Sequence, residues 1–249
     1  MSVLNKIIKN IRSNSPLGNK FSVPIEVEKA EKIFYINYLN PGMTVFDVGA
    51  NIGELSLLFS RLVGSEGQVH AFEASEGTFN KLTKICQLAN RQQIILNQKA
   101  VSEKHEILQL YVYDDLHSTL NSLADRPLKN YGIDIQPIST EKVEAVTIDQ
   151  YCHEHNIDNI DLLKIDVEGA EYQVLRGAEQ MLKEQRICCC VFEFGQTTFD
   201  MGNNPDELES YLKAANYTVT NVVEKDPIFP GRSDVSTARF SIHIARPCK

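Results

Sequence analysis

Short apolar runs alternate with amphipathic stretches along most of the chain. In Val27–Leu39 the residues Val27, Ala30, Ile33, Phe34 and Leu39 recur at helical spacing, and Pro41-Gly42 stops the helix. Thr44–Val48 predicts a short buried strand. Ile52–Val63 returns to helical spacing through Leu55, Leu58, Phe59 and Leu62, and Gly64 ends it. The alternation continues with strands at Gln68–Phe72, Ile94–Gln98, Ile160–Ile165 and Ile187–Phe194. Helices are predicted at Phe79–Ala89, Asp149–His155, Tyr172–Leu182 and Pro205–Ala215. Leu108–Tyr113 and Val143–Ile148 predict strands on either side of an irregular stretch. Val219–Val223 and Phe240–Ala245 predict two closing strands around a loop with Pro227, Pro230 and Gly231. Continuous apolar strands separated by helices imply an α/β protein with a mostly parallel sheet covered on both faces. In such sheets a ligand sits beyond the carboxyl ends of the strands.

The length, 249 residues, fits one large domain or two small ones. Ser13–Asn19, with Pro16 and Gly18, reads as a linker. The expected organisation is therefore an N-terminal helix and linker over residues 1–25 and a single domain over residues 26–249. Val3, Leu4, Ile7, Ile8 and Ile11 recur at helical spacing among Lys6, Lys9 and Arg12. Packing of this helix on the domain is preferred to contact with a membrane surface or a receptor. The irregular stretch, about residues 114–142 with Pro127, Gly132 and Pro137, is too long for a plain connection and predicts a substrate-covering lid. The formal net charge of −8 argues against a nucleic-acid backbone as partner. No run reaches the roughly 18 apolar residues of a membrane span, and no apolar secretory core follows the N-terminus. Six cysteines without zinc-ligand spacing read as reduced thiols, and Cys188, Cys189 and Cys190 as small hydrophobes in a strand. The expected location is cytoplasmic.

Candidate chemistry gathers at the predicted carboxyl edge. The first strand runs into Phe46-Asp47-Val48-Gly49-Ala50-Asn51-Ile52-Gly53. Gly49 permits a tight turn, and Gly53 is expected to let the helix start pack close to a cofactor. The spacing is GxxxG, not the GxGxxG of dinucleotide sites. Glu73 ends the second strand, where a carboxylate can accept both ribose hydroxyls of a nucleoside. In Leu162–Glu171, Lys164 and Asp166 share one face of a buried strand, so pairing or function must offset their burial. Asp166 and Glu168 then emerge at the sheet edge, and Glu193 repeats the pattern on the next strand. Clustered carboxylates can hold a hard cation, bind an ammonium group or act as a general base. A divalent metal is not favoured, because no His or Asn ligand accompanies these carboxylates at a recognisable spacing. His117, in the irregular stretch, is a further candidate base.

The sequence resembles the FkbM-type S-adenosylmethionine-dependent methyltransferases. The resemblance is carried by FDVGANIG at Phe46–Gly53, FEAS at Phe72–Ser75, AVSE at Ala100–Glu103, VTID at Val146–Asp149, LLKIDVEGAE at Leu162–Glu171 and FEFG at Phe192–Gly195. It implies the class I methyltransferase (Rossmann-like) fold, seven strands with an antiparallel last strand, and O-methylation of a sugar or natural-product hydroxyl. It also implies S-adenosylmethionine as cofactor. The methionine part would lie near Asp47, Gly49, Asn51 and Gly53, the ribose on Glu73, and the adenine near Ala100, Val101 and Ser102. Asp166 and Glu168 would stand at the methyl and acceptor side. Two other readings share parts of the pattern. A nicotinamide-dependent oxidoreductase has the glycine turn and acidic strand end, but GxGxxG is missing. A catalytically silent cofactor-binding module has no need of carboxylates at two strand ends.

Overall fold

A computed structural model describes residues 24–248 of the chain. The basic N-terminal helix and its linker lie outside the described residues. Helix α1 (Ile25–Tyr38) leads into β1 (Thr44–Val48), α2 (Glu54–Val63), β2 (Gln68–Phe72), α3 (Glu76–Ala89) and β3 (Ile94–Asn97). Next come β4 (Ala100–Val101), β5 (Glu106–Val112), β6 (Ser139–Val146), α4 (Ile148–His155), β7 (Leu162–Ile165), α5 (Glu171–Arg176) and α6 (Glu179–Lys183). The chain closes with β8 (Cys190–Phe194), α7 (Gln196–Asp200), α8 (Pro205–Ala214), β9 (Tyr217–Asn221) and β10 (Ser241–Pro247).

Seven strands form the main sheet in the order β3-β2-β1-β7-β8-β10-β9. Neighbours are parallel except at β10, which runs antiparallel to β8 and to β9. The strand order reverses at β1, which pairs with β2 on one side and β7 on the other. The crevice beyond the carboxyl ends of β1 and β7 is thus the topological switch point.

Side-chain alternation sorts the core into two layers. Phe46, Phe72, Leu163, Ile165 and Phe192 pack on one face with Ile148, Leu175 and Leu212. Val45, Val69, Leu162 and Val191 pack on the other with Tyr35, Phe59 and Leu82 of α1, α2 and α3. Asp47, Lys164 and Glu193 share the parity of that second group, so these charged positions lie on the face covered by α1 and α2. This explains an irregularity in α1. Ile33 is exposed and Glu31 is half-buried, because the helix turns Val27, Glu31 and Tyr35 towards the sheet.

A smaller sheet, β4-β6-β5, stands beside the main one. Strands β5 and β6 pair antiparallel from Glu106↔Ala145 to Val112↔Ser139 and carry residues 113–138 between them. That segment is shorter than expected, since Ser139–Lys142 belong to β6. It contains two 3-10 turns, Ser118–Leu120 and Leu128–Tyr131, and a small core of Tyr113, Leu120, Leu128 and Ile133.

Three further expectations need correction. The helix expected over Tyr172–Leu182 is broken between α5 and α6 at Gly177, whose carbonyl accepts from the Asp149 amide at 3.0 Å and where a Cβ would stand 2.1 Å from the Ser102 carbonyl oxygen. The chain bends where that close approach occurs. Cys188 is exposed rather than part of the core, because side-chain alternation turns it outward between the buried Ile187 and Cys189. Helix α7 has no counterpart among the predicted elements.

Candidate active site

The turn after β1 is held from two sides. Gly49 and Ala50 donate their amides to the Phe72 carbonyl at 3.0 and 2.9 Å. Gly49 has φ 77, and a Cβ there would lie 1.7 Å from the Asp166 carbonyl oxygen, so glycine is required by both conformation and space. Asn51 is also left-handed, with φ 47. At Gly53 a Cβ would meet Leu82 Cδ1 at 2.5 Å. Glycine at 53 is thus required by its left-handed backbone, φ 85, and by packing of the loop against α3. Glu73 closes the turn. Its Oε2 accepts from the Asn51 amide at 3.0 Å and its Oε1 from the Ser75 amide at 2.9 Å. A carboxylate has about four lone-pair sites, so two remain for a ligand's hydroxyls. Burial raises the Glu73 pKa to about 7, against the two amide hydrogen bonds.

Beneath the turn lies a buried charge network. Asp47 is fully buried, its Oδ2 accepting from Ser56 Oγ at 2.6 Å and its Oδ1 lying 3.1 Å from Lys164 Nζ. Lys164 also donates to the Gly49 carbonyl at 2.9 Å and stands 3.4 Å from Asp166 Oδ2. Burial works against the Lys164 charge, but Asp166 and Asp47 outweigh it and hold its pKa above the usual lysine range. Asp47 supports the turn from below. The Asp166 side chain is 36% exposed at the sheet edge.

Glu168, Glu171 and Glu193 complete this edge, and Glu31 of α1 faces it. Glu171 folds back to accept from the amides of Val167 at 3.2 Å and Gly169 at 3.1 Å, which caps the loop. Burial, then the charges of Asp166, Glu168, Glu171 and Glu31, push Glu193 well above the carboxylate range. Among the described residues no group of three or more His, Cys, Asp or Glu is arranged to hold a metal ion.

Glu168 is tied to the insert. Its backbone is left-handed, φ 54, and its Oε2 accepts from Arg126 Nη1 at 3.0 Å. Arg126 Nε reaches Asp200 Oδ2 at 3.2 Å, and Tyr131 donates to the same carboxylate. Ser122 Oγ donates to the Glu168 carbonyl at 3.2 Å. The Arg126 side chain is 0% exposed, so the insert is pinned over the ends of β7 and β8 by a desolvated cation. Arg126 was not a sequence candidate, because an irregular segment offers no periodicity to mark an inward residue. His117 is buried, not a surface residue, and Asp114 Oδ1 accepts from its Nδ1 at 2.8 Å. Lys81 of α3 pairs with the exposed Asp115 at 2.6 Å near the other end of the insert.

Ala100, Val101 and Ser102 are buried and paired with β6, where they form a wall of the smaller sheet. Beside the β7 loop, Asn203 Nδ2 donates to the Gly169 carbonyl at 2.7 Å. Asn203 also lines a recess of about 540 Å³ with Phe199, Asp206 and Arg232.

The seven-stranded sheet with its one antiparallel strand is that of the class I methyltransferases. Methyltransferase FkbM from Methylobacillus flagellatus KT shares the fold with a TM-score of 0.51 at 12% identity, over 96% of this chain and 59% of that one. Residues 47–219 match the Methyltransferase FkbM domain. The chain is 33% identical over 215 residues to 31-O-demethyl-FK506 methyltransferase FkbM of Streptomyces tacrolimicus, with 78% of each chain covered. It is 27% identical over 146 residues to Methyltransferase 1 of Beauveria bassiana, covering 54% of this chain and 58% of that one. The chain belongs to the FkbM methyltransferase family.

Proposed function

We propose that the chain transfers the methyl group of S-adenosylmethionine to a hydroxyl of a small natural-product or sugar-type acceptor. The observation that carries this reading is Glu73. Its carboxylate stands at the end of β2, fixes the Asn51 amide of the glycine turn, and keeps lone pairs for a ribose diol. The cofactor, when bound, supplies an electrophilic methyl carbon, so the protein's task is alignment and removal of the acceptor's proton. Gly49, Asn51 and Gly53 shape the loop for the methionine part, Asp47 and Lys164 hold that loop, and Ala100–Ser102 border the adenine side. The insert over residues 113–138 covers the acceptor, and Asp166 borders it at the methyl side. Glu168 contributes through the loop shape that Arg126 imposes on it. The name of the Streptomyces tacrolimicus relative, 31-O-demethyl-FK506 methyltransferase, supports a small-molecule acceptor methylated on oxygen. Neither a nicotinamide dinucleotide nor a divalent metal has a part in this reading.

The test is mass spectrometry after incubation with deuteromethyl-labelled S-adenosylmethionine and a panel of 31-O-demethyl-FK506 and methyl glycosides. A labelled methyl ether is expected. Binding of NAD in place of S-adenosylmethionine would contradict the reading.

A further inference from the structure

Two polar atoms in the insert are buried and without a hydrogen-bond partner among the described residues: Tyr113 Oη and His117 Nε2. Tyr113 is 3% exposed and His117 7% exposed, so solvent does not satisfy them. A buried polar group left unmade costs on the order of 1–3 kcal/mol and calls for an explanation. The rest of this turn is fully engaged. Asp114 Oδ1 accepts from the Leu116 amide at 2.9 Å, the His117 amide at 3.1 Å and His117 Nδ1 at 2.8 Å. A carboxylate at Nδ1 fixes the proton on that nitrogen and leaves the lone pair on Nε2. The turn therefore presents an oriented proton acceptor whose own partner is missing. Asn121 Oδ1 accepts from the Tyr113 amide at 2.9 Å, Ser122 O accepts from the Tyr111 amide at 2.9 Å, and Ser122 Oγ donates to the Glu168 carbonyl at 3.2 Å, which places this strand end beside the β7 loop.

The other candidate bases at the edge are engaged. Asp166 faces Lys164 and Glu168 faces Arg126. Glu193 stands among four carboxylates that favour its protonated form.

We infer that His117, held by Asp114, is the general base that accepts the proton of the acceptor hydroxyl at Nε2, with Tyr113 as a hydrogen-bonding contact to the acceptor. The inference rests on the methyl-transfer reading above. The acceptor's O–H bond breaks and its proton passes to Nε2. The oxygen's electron pair forms the new bond to the methyl carbon, and the carbon–sulfur pair stays on sulfur. His117 then passes its proton to water that enters as the methyl ether leaves.

Two measurements on the full chain test this. Nitrogen-15 NMR of the protein saturated with S-adenosylhomocysteine should show the neutral His117 ring protonated at Nδ1 and bare at Nε2. Asp114→Asn should disturb that tautomer. An Nε2–H tautomer in the parent protein overturns the inference and needs no acceptor to show it. With the acceptor panel above, His117→Ala should lose at least about 100-fold in turnover. Cofactor affinity should be unchanged, and added imidazole should restore part of the rate. His117→Gln serves as a second variant of similar size. Parent-like turnover in either folded variant overturns the inference alone, whereas failure of the parent to bind S-adenosylmethionine or S-adenosylhomocysteine removes the methyl-transfer reading instead.

Discussion

Replacing Arg126 with Met keeps most of the side-chain volume and removes the cation that joins the insert to the sheet. Two carboxylates lose their partner: Glu168, 22% exposed, and Asp200, 2% exposed. Breaking a buried ion pair from one side costs about 3–5 kcal/mol, because the remaining charge is left desolvated. Glu168, its pKa raised to about 8 by burial, takes up a proton instead of keeping an orphaned charge, and Tyr131 still donates to Asp200, so the lower part of that range applies, about 3 kcal/mol. For a chain of this size that corresponds to a fall in Tm of roughly 6–12 °C if the loss is global. If the loss is confined to the insert, the midpoint stays and amide hydrogen exchange quickens over residues 113–138. Urea unfolding combined with hydrogen exchange separates the two outcomes. Asp200→Asn added to Arg126→Met should return part of the stability, because the most deeply buried orphan charge is then absent. A single variant with parental stability and parental exchange in the insert would refute the claim that Arg126 fastens it.

Gly49→Ala places a methyl group 1.7 Å from the Asp166 carbonyl oxygen at a φ of 77. The β1 turn should deform, and calorimetric binding of S-adenosylhomocysteine should be lost even where circular dichroism shows a folded chain. Stability should also depend on pH in a particular direction. Burial raises Glu31, Glu73 and Glu171 to about 7 and Glu168 to about 8, so the folded state holds protons that the unfolded state has released. Those groups make the cofactor-free protein more stable as pH falls from 8 towards their ordinary value of 4.5. His70 and His243, lowered to about 4 and about 3 by burial, oppose this below their ordinary value of 6.5. Urea midpoints should therefore rise between pH 8 and 6.5 and gain less or fall below that. A midpoint that rises with pH over 6.5–8 would contradict the assigned burial.

The strands were legible because parallel strands buried on both faces are predominantly apolar, as in Leu162–Ile165 and Cys190–Phe194, where Lys164 and Glu193 are the charged exceptions. Their carboxyl ends could be named in advance, and so Asp166, Glu168 and Glu193 could be placed on one edge. What the pattern could not carry were contacts between distant residues. Arg126 and Glu168 are 42 positions apart, and only the folded insert brings them together. Gly177 looks like any helical glycine until the Ser102 carbonyl stands over it. At Gly53 the pattern showed a glycine turn but not that Leu82 Cδ1 stands where a Cβ would be. Glu31 was not among the positions the helical spacing singled out, and the structure turns it inward with Val27 and Tyr35. His117 differs from a surface histidine only through burial and Asp114, neither of which a loop sequence discloses.

The central claim is that the β1 turn and Glu73 hold S-adenosylmethionine. Calorimetry with S-adenosylmethionine and S-adenosylhomocysteine on the parent chain and on Glu73→Ala tests it most directly. The account predicts binding of both compounds by the parent and a loss of about 1.5–3 kcal/mol in the variant, the scale of hydrogen bonds to a charged group. No heat with either compound, or equal affinity in a folded Glu73→Ala chain, would contradict it.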